Sequence, residues 1–263
     1  GQSAAVQKGT GIDGLRADFG QGLPPQMWEY VINVARSRKW SFVFMSESLD
    51  GGAVTYRSSR HFDVLNENLL FSIKSATSPG SYREAIENRR KFYGQNLVLL
   101  NNVSHDEENY QDPWQAFIRY AAVSTHAGIP MSFMGQELGI SRTYGFNHYE
   151  TNFGKQVAHF KRYNSMQPIW DNNDFGLDQL YKAYASIGKA RLASPALRSS
   201  RRYFLNEKTT DAAHAEIHAV AKWENAYPTP DTADVVLAFV NLDKDNQQSG
   251  TFDLSPGGSD SIL

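Results

Sequence analysis

Three acidic residues stand where an apolar run gives way to polar sequence. Asp18 follows "GLRA", with Arg16 two residues before it; Glu47 closes "SFVFMSE"; Asp106, preceded by His105, follows "LVLLNNVS". If such runs are parallel strands, their carboxyl ends collect on one rim of the sheet, where reactive groups of parallel α/β folds sit. Asp18 and Glu47 are 29 residues apart and Glu47 and Asp106 are 59, about one and two strand–helix units. The chemistry open to such a set is general acid–base work by carboxylates that share one rim. Arg16 shares a strand face with Asp18 by the period of two, so its guanidinium can neutralise and orient that carboxylate.

Taken singly, each of these residues also has a plainer reading. Arg16 and Asp18 can be a structural ion pair. Glu47 can be solvated or serve a neighbouring helix terminus. His105 and Asp106 can be a turn or a capping group, or part of a metal site, although no ligand spacing supports the last.

The elements that must position these residues are legible as periodic runs. Apolar runs at 11–19, 40–46, 61–65, 97–102 and 129–134 predict strands, and helical sequence at 23–40, 81–94 and 112–128, with a weaker stretch near 52–60, lies between them. The first helix opens with prolines; the last two are expected to close at Gly94 and Gly128, where a left-handed cap costs glycine little. Strand alternating with helix predicts parallel strands covered by helices, in a doubly wound sheet or a barrel. Residues 138–176 read as one long aromatic-rich loop, a length that is often functional. A helix is expected over 177–198, and the alternating runs 215–226, 233–243 and 249–255 predict antiparallel strands of a small β domain, too few to close a sandwich.

Composition excludes several alternatives. With 26 basic against 28 acidic residues, the net charge of -2 gives no electrostatic reason to expect nucleic acid or an anionic membrane. No stretch approaches the roughly 18 apolar residues of a membrane-spanning helix. There are no cysteines, so disulfides and thiolate chemistry are excluded. The first ten residues carry no methionine and no apolar leader core, and read as an internal cut.

Four ordered motifs also carry a resemblance. "GLRADFGQG", "FVFMSES" and "LLNNVSHDE" resemble the second, third and fourth conserved regions of the α-amylase family of glycoside hydrolases (glycoside hydrolase family 13). "GIPMSFMGQELG" is similar to that family's eighth barrel strand and following turn, and "LYKAYASIGKARLASPALR" to the helix after it. The resemblance implies a partial (β/α)8 barrel, about strands 4 to 8 with their helices, over residues 1–200, and the start of an antiparallel β-sandwich domain over 201–263. Position by position it implies Asp18 as catalytic nucleophile, Glu47 as general acid/base and Asp106 as transition-state stabiliser, with Arg16 and His105 in substrate binding. It implies a retaining α-glycoside hydrolase cleaving α-linked glucose oligosaccharides or polysaccharides through a covalent glycosyl-enzyme. The alternatives are an α-glucan transglycosylase on the same site, and a non-catalytic carbohydrate-binding half-barrel or truncated remnant.

Where the family departs from this chain, expectations change. Gln21 and Gly22 stand where many members carry a lysine–histidine pair that serves sugar binding and calcium coordination, and Ser104 where asparagine is usual. No cofactor is expected for the chemistry, and a structural calcium has no support in this part of the chain. The family's first region, an Asp-x-x-x-Asn-His run, is not in the sequence, so a missing amino-terminal half or a partner chain is expected to complete the barrel. Tyr144, Phe146, Tyr149, Phe153 and Trp170 either anchor the long loop or stack on sugar rings. Secretion is a family tendency only, and the sequence itself leaves the compartment open.

Overall fold

The computed structural model describes residues 11–47, 62–66, 73, 76, 78–91, 96–102, 112–133, 136–138, 149–152, 155–158, 177–208, 216–224 and 234–254. Five strands follow one another in chain order across one sheet: β1 (Gly14–Ala17), β2 (Val43–Glu47), β3 (Val64–Asn66), β4 (Leu97–Asn101) and β5 (Ile129–Met131). The pairings of β1 with β2, β2 with β3 and β3 with β4 are parallel. Sequential order with parallel pairing requires a crossover after each strand. Helix α1 (Pro25–Arg38) follows β1, α2 (Pro79–Arg90) lies between β3 and β4, and α3 (Pro113–Val123) between β4 and β5.

Contacts divide the chain into two compact units, Gly1–Asn68 with Glu87–Leu99, and Leu69–Ile86 with Leu100–Leu263. The first unit buries Ile32 of α1 and Phe44, Val64, Leu65 and Val98 of the strands. Trp28, Phe62 and Phe44 continue that core edge to face, with ring centroids 5.4 and 6.5 Å apart. One buttress ties α1 to the strands: Arg36 Nη2 donates to both oxygens of Asp63 at 2.7 Å, and the Phe44 N–H donates to Asp63 Oδ2 at 2.7 Å.

In the second unit α3 is capped by Asp112, whose carboxylate accepts from the N–H groups of Trp114 and Gln115 at 2.8 and 3.2 Å, with Pro113 in the first turn. The helix stops at Val123, five residues before the expected cap at Gly128. The hydroxyls of Ser124 and Thr125 donate to the carbonyls of Tyr120 and Ala122 and close the end there, while Gly128, at φ 153°, bends the link into β5. Residues 138–176, expected as one loop, contain an antiparallel hairpin of β6 (Tyr149–Asn152) and β7 (Lys155–Ala158). The helix expected over 177–198 is two: α4 (Leu177–Ala193) ends, and Ser194, accepting from the Leu197 N–H, caps a short α5 (Pro195–Arg198). The remaining strands are β8 (Arg202–Phe204), β9 (Asn206–Glu207), β10 (Ile217–Trp223), β11 (Val235–Asn241) and β12 (Phe252–Asp253), with β10 paired antiparallel between β11 and β8, and β12 with β9. The stretch near 52–60 and Gly94 lie outside the described residues. Among the described residues no helix is long and apolar enough to cross a membrane.

His218 of β10 is fully buried. Its Nε2 lies 3.0 Å from the Thr125 hydroxyl, and because that hydroxyl spends its one proton on Ala122, Nε2 must be the donor. Nδ1 is then a bare lone pair, buried without a hydrogen-bond partner among the described residues. Burial, then the neighbouring His126 and Arg83, holds this imidazole well below the ordinary histidine value. A folded state that refuses the proton while the unfolded chain accepts it loses stability as pH falls below about 6.5. Denaturation midpoints measured from pH 7 to 5 are expected to fall in the native chain and to fall less steeply in His218→Gln. Identical slopes would remove His218 from the account.

Candidate active site

The site begins with the register of two short strands. β1 pairs with β2 as Arg16 with Met45 and Ala17 with Ser46, so the next residues along, Asp18 and Glu47, emerge together from the carboxyl ends of neighbouring strands. Beyond Asp18 the chain turns sharply. Phe19 takes a left-handed conformation, φ 46° and ψ 51°, and Gly20–Gly22 form a single 3-10 turn before α1. Trp28 of α1 donates its indole N–H to the Gly20 carbonyl at 2.8 Å, and the Gly22 N–H donates to the Phe19 carbonyl at 2.8 Å. Helix, turn and strand are thereby locked to one another.

One guanidinium joins the two carboxylates. Arg16 Nη1 lies 3.0 Å from Asp18 Oδ1 and Arg16 Nη2 lies 3.1 Å from Glu47 Oε2. The Phe19 backbone N–H also donates to Glu47 Oε2, at 2.9 Å. The environments differ: the Asp18 side chain is 82% exposed, that of Glu47 only 10%. Two carboxylates this close repel unless a cation is shared between them or one holds a proton. Arg16 supplies the shared cation. With two N–H donors on Oε2, a proton on Glu47 belongs on Oε1.

The structure therefore brings Arg16, Asp18 and Glu47 of the expected set together, while His105 and Asp106 lie outside the described residues. So do Tyr144, Phe146, Phe153 and Trp170, and the side chain of Tyr149. Phe19, Gly20, Ser46 and Trp28 escaped sequence reasoning. A donor supplied by the backbone of Phe19 has no side-chain signature, whereas the Gly-x-Gly after Asp18 is a signal from which the tight turn could have been found. Among the described residues no three His, Asp or Glu side chains converge as a metal site requires.

In the second unit, the buried amides Asn102, just after β4, and Gln136, after β5, are joined: Gln136 Nε2 donates to Asn102 Oδ1 at 3.1 Å and to the Tyr184 hydroxyl of α4 at 2.9 Å. Asn102 in turn donates to the Ala116 carbonyl at 2.9 Å. These bonds fix Asn102 at the carboxyl end of β4.

Gly20 is where the turn is least tolerant. A Cβ there would stand 2.2 Å from Ser46 Oγ, and Ser46 is fully buried. Gly20→Ala is expected to cost about 1–3 kcal/mol in chemical denaturation, by overpacking. In a Ser46→Ala background, which removes the clashing hydroxyl, at least half of that cost should vanish; equal costs in both backgrounds would contradict the packing shown.

No family model and no curated protein matches the chain in sequence. Solved structures do match it in shape. An α-amylase from H. orenii superposes with a TM-score of 0.66 at 15% identity, over 90% of this chain and 52% of its own. A maltogenic α-amylase from Thermotoga neapolitana gives 0.59 at 13%, over 88% and 49%. A cyclic α-maltosyl-(1→6)-maltose hydrolase from Arthrobacter globiformis gives 0.56 at 18%, over 95% and 57%. The chain spans about half the length of these enzymes, and its parallel strands, helices and antiparallel sheets have the fold of part of an α-amylase barrel with a β domain.

Proposed function

We propose that this chain carries the carboxylate pair of a retaining α-glycoside hydrolase acting on α-linked glucose oligosaccharides or polysaccharides. The observation that carries this reading is the single guanidinium of Arg16 held at 3.0 and 3.1 Å from two carboxylates on adjacent strand ends. The fold shared with α-amylases and an α-maltosyl-maltose hydrolase supports the substrate class.

The exposed carboxylate, Asp18, attacks the anomeric carbon while Glu47 gives the proton on Oε1 to the departing glycosidic oxygen. The C–O bond to the leaving sugar breaks, and a glycosyl ester forms on Asp18. Glu47, now ionised, draws a proton from water, the hydroxide oxygen attacks the anomeric carbon, and Asp18 is released with Glu47 reprotonated. Arg16 stays charged throughout, so it can orient Asp18 for attack and stabilise Glu47 each time it loses its proton. In the same reading Asp106 stabilises the charge that develops on the sugar and His105 hydrogen-bonds the sugar being cleaved. A sugar hydroxyl in place of water turns the second half into transfer.

Two substitutions separate the roles. Asp18→Asn and Glu47→Gln are each expected to lower kcat/KM on an α-maltoside by at least about 10³-fold, with thermal melts close to native. With α-maltosyl fluoride, whose leaving group needs no proton, Glu47→Gln should regain formation of the glycosyl-enzyme and Asp18→Asn should not. Full activity in either variant on the α-maltoside would refute the assignment.

A further inference from the structure

Phe19 combines three features that packing alone does not call for. It holds a left-handed backbone, the sole residue other than glycine with positive φ among the described residues. Glycine takes that conformation freely, and a residue with a Cβ does so at a cost of about 1 kcal/mol. The Phe19 N–H is what Glu47 uses, and any residue but proline would supply it. The geometry of the carboxylates therefore explains the turn but not the phenyl group.

The ring is also poorly placed for a core residue, being 59% exposed. It is nevertheless held. A Cβ on Gly22 would stand 2.5 and 2.8 Å from its Cδ1 and Cε1, so the ring lies against the bare α-carbon of Gly22, and any larger residue there would displace it. The ring is held on one side and the residue is largely exposed, and its own backbone N–H is bound to Glu47 Oε2 at 2.9 Å, so an apolar surface is carried by the residue that joins the two carboxylate-bearing strand ends. The axial C–H faces of a pyranose ring are apolar and stack on such surfaces, while its hydroxyls seek polar partners.

We propose that Phe19 is a specificity-determining residue, its ring the platform on which a glucose unit at the point of cleavage stacks, and that Gly22 is small in order to seat it. This inference rests on the proposed function and adds the contact that selects a pyranose in the site. It also accounts for the glycine at position 22: a side chain there and the ring of Phe19 exclude one another.

The test is isothermal titration of maltotriose into the full chain, into Phe19→Gly and into Phe19→Trp. Phe19→Gly keeps the backbone N–H and removes the strain, so its thermal melt serves as the control on folding. Its dissociation constant for maltotriose should rise about fivefold to tenfold, the scale of one aromatic contact, and Phe19→Trp should restore binding. If the native chain binds maltotriose and Phe19→Gly binds it equally well, the platform is overturned and the proposed function stands. If the native chain alone does not bind maltotriose, the same three proteins are titrated with the remaining strands of the barrel supplied, and equal binding by the native and Phe19→Gly forms there overturns the platform while leaving the proposed function in place.

Discussion

Two carboxylates on the ends of adjacent strands are held together by one guanidinium, and the arrangement of the surrounding structure follows from that constraint. Without Arg16, the like charges of Asp18 and Glu47 would stand on neighbouring strand ends with no cation shared between them. With it, the pair can exist in the ground state while remaining different: Asp18 open to solvent, Glu47 nearly enclosed and gripped on one oxygen by Arg16 and the Phe19 N–H. A reaction that needs one anion to attack and one acid to protonate starts from that asymmetry.

The scaffold answers the same constraint. Arg16 reaches both partners because β1 and β2 are parallel and in the register that sets Ala17 beside Ser46. The chain must then leave β1 at once, and it does so by the left-handed Phe19 and by Gly20, whose hydrogen in place of a side chain lets the turn press on buried Ser46. Trp28 anchors the turn from α1. That helix is fixed to the next strands by Arg36 on Asp63, which also accepts the Phe44 N–H. Each contact is modest by itself, but all are short-range and mutually dependent, the condition under which catalytic geometry is kept to a fraction of an ångström.

Much of this was readable in the sequence because apolar runs and their polar ends are local signals. All five parallel strands lie within the runs that predicted them or extend one residue past the end, and Asp18 and Glu47 could be placed on strand ends from the runs alone. The departures also have local causes. Ser194-Pro195 is a cap followed by the residue best suited to a first turn, and it restarts the helix that periodicity had read as continuous. Tyr149–Asn152 and Lys155–Ala158 pair as antiparallel strands inside what composition suggested was loop. Ser124 and Thr125 end α3 early because their hydroxyls compete for carbonyls of the last turn. What could not be read were contacts between distant positions: the Gln136–Asn102 amide pair, Tyr82 donating to the Arg119 carbonyl, or the backbone donor of Phe19 on Glu47. No periodicity encodes a partner that folding alone brings near.

The claim at the centre of this account is that Asp18 becomes covalently bonded to the sugar. The direct measurement is mass spectrometry after incubation with 5-fluoro-α-D-glucosyl fluoride, a reagent whose glycosyl-enzyme forms faster than it hydrolyses, followed by tryptic mapping. The account predicts one added fluoroglucosyl group, located on Asp18. Turnover of the reagent with the label on Glu47, or with no adduct on Asp18, would contradict it.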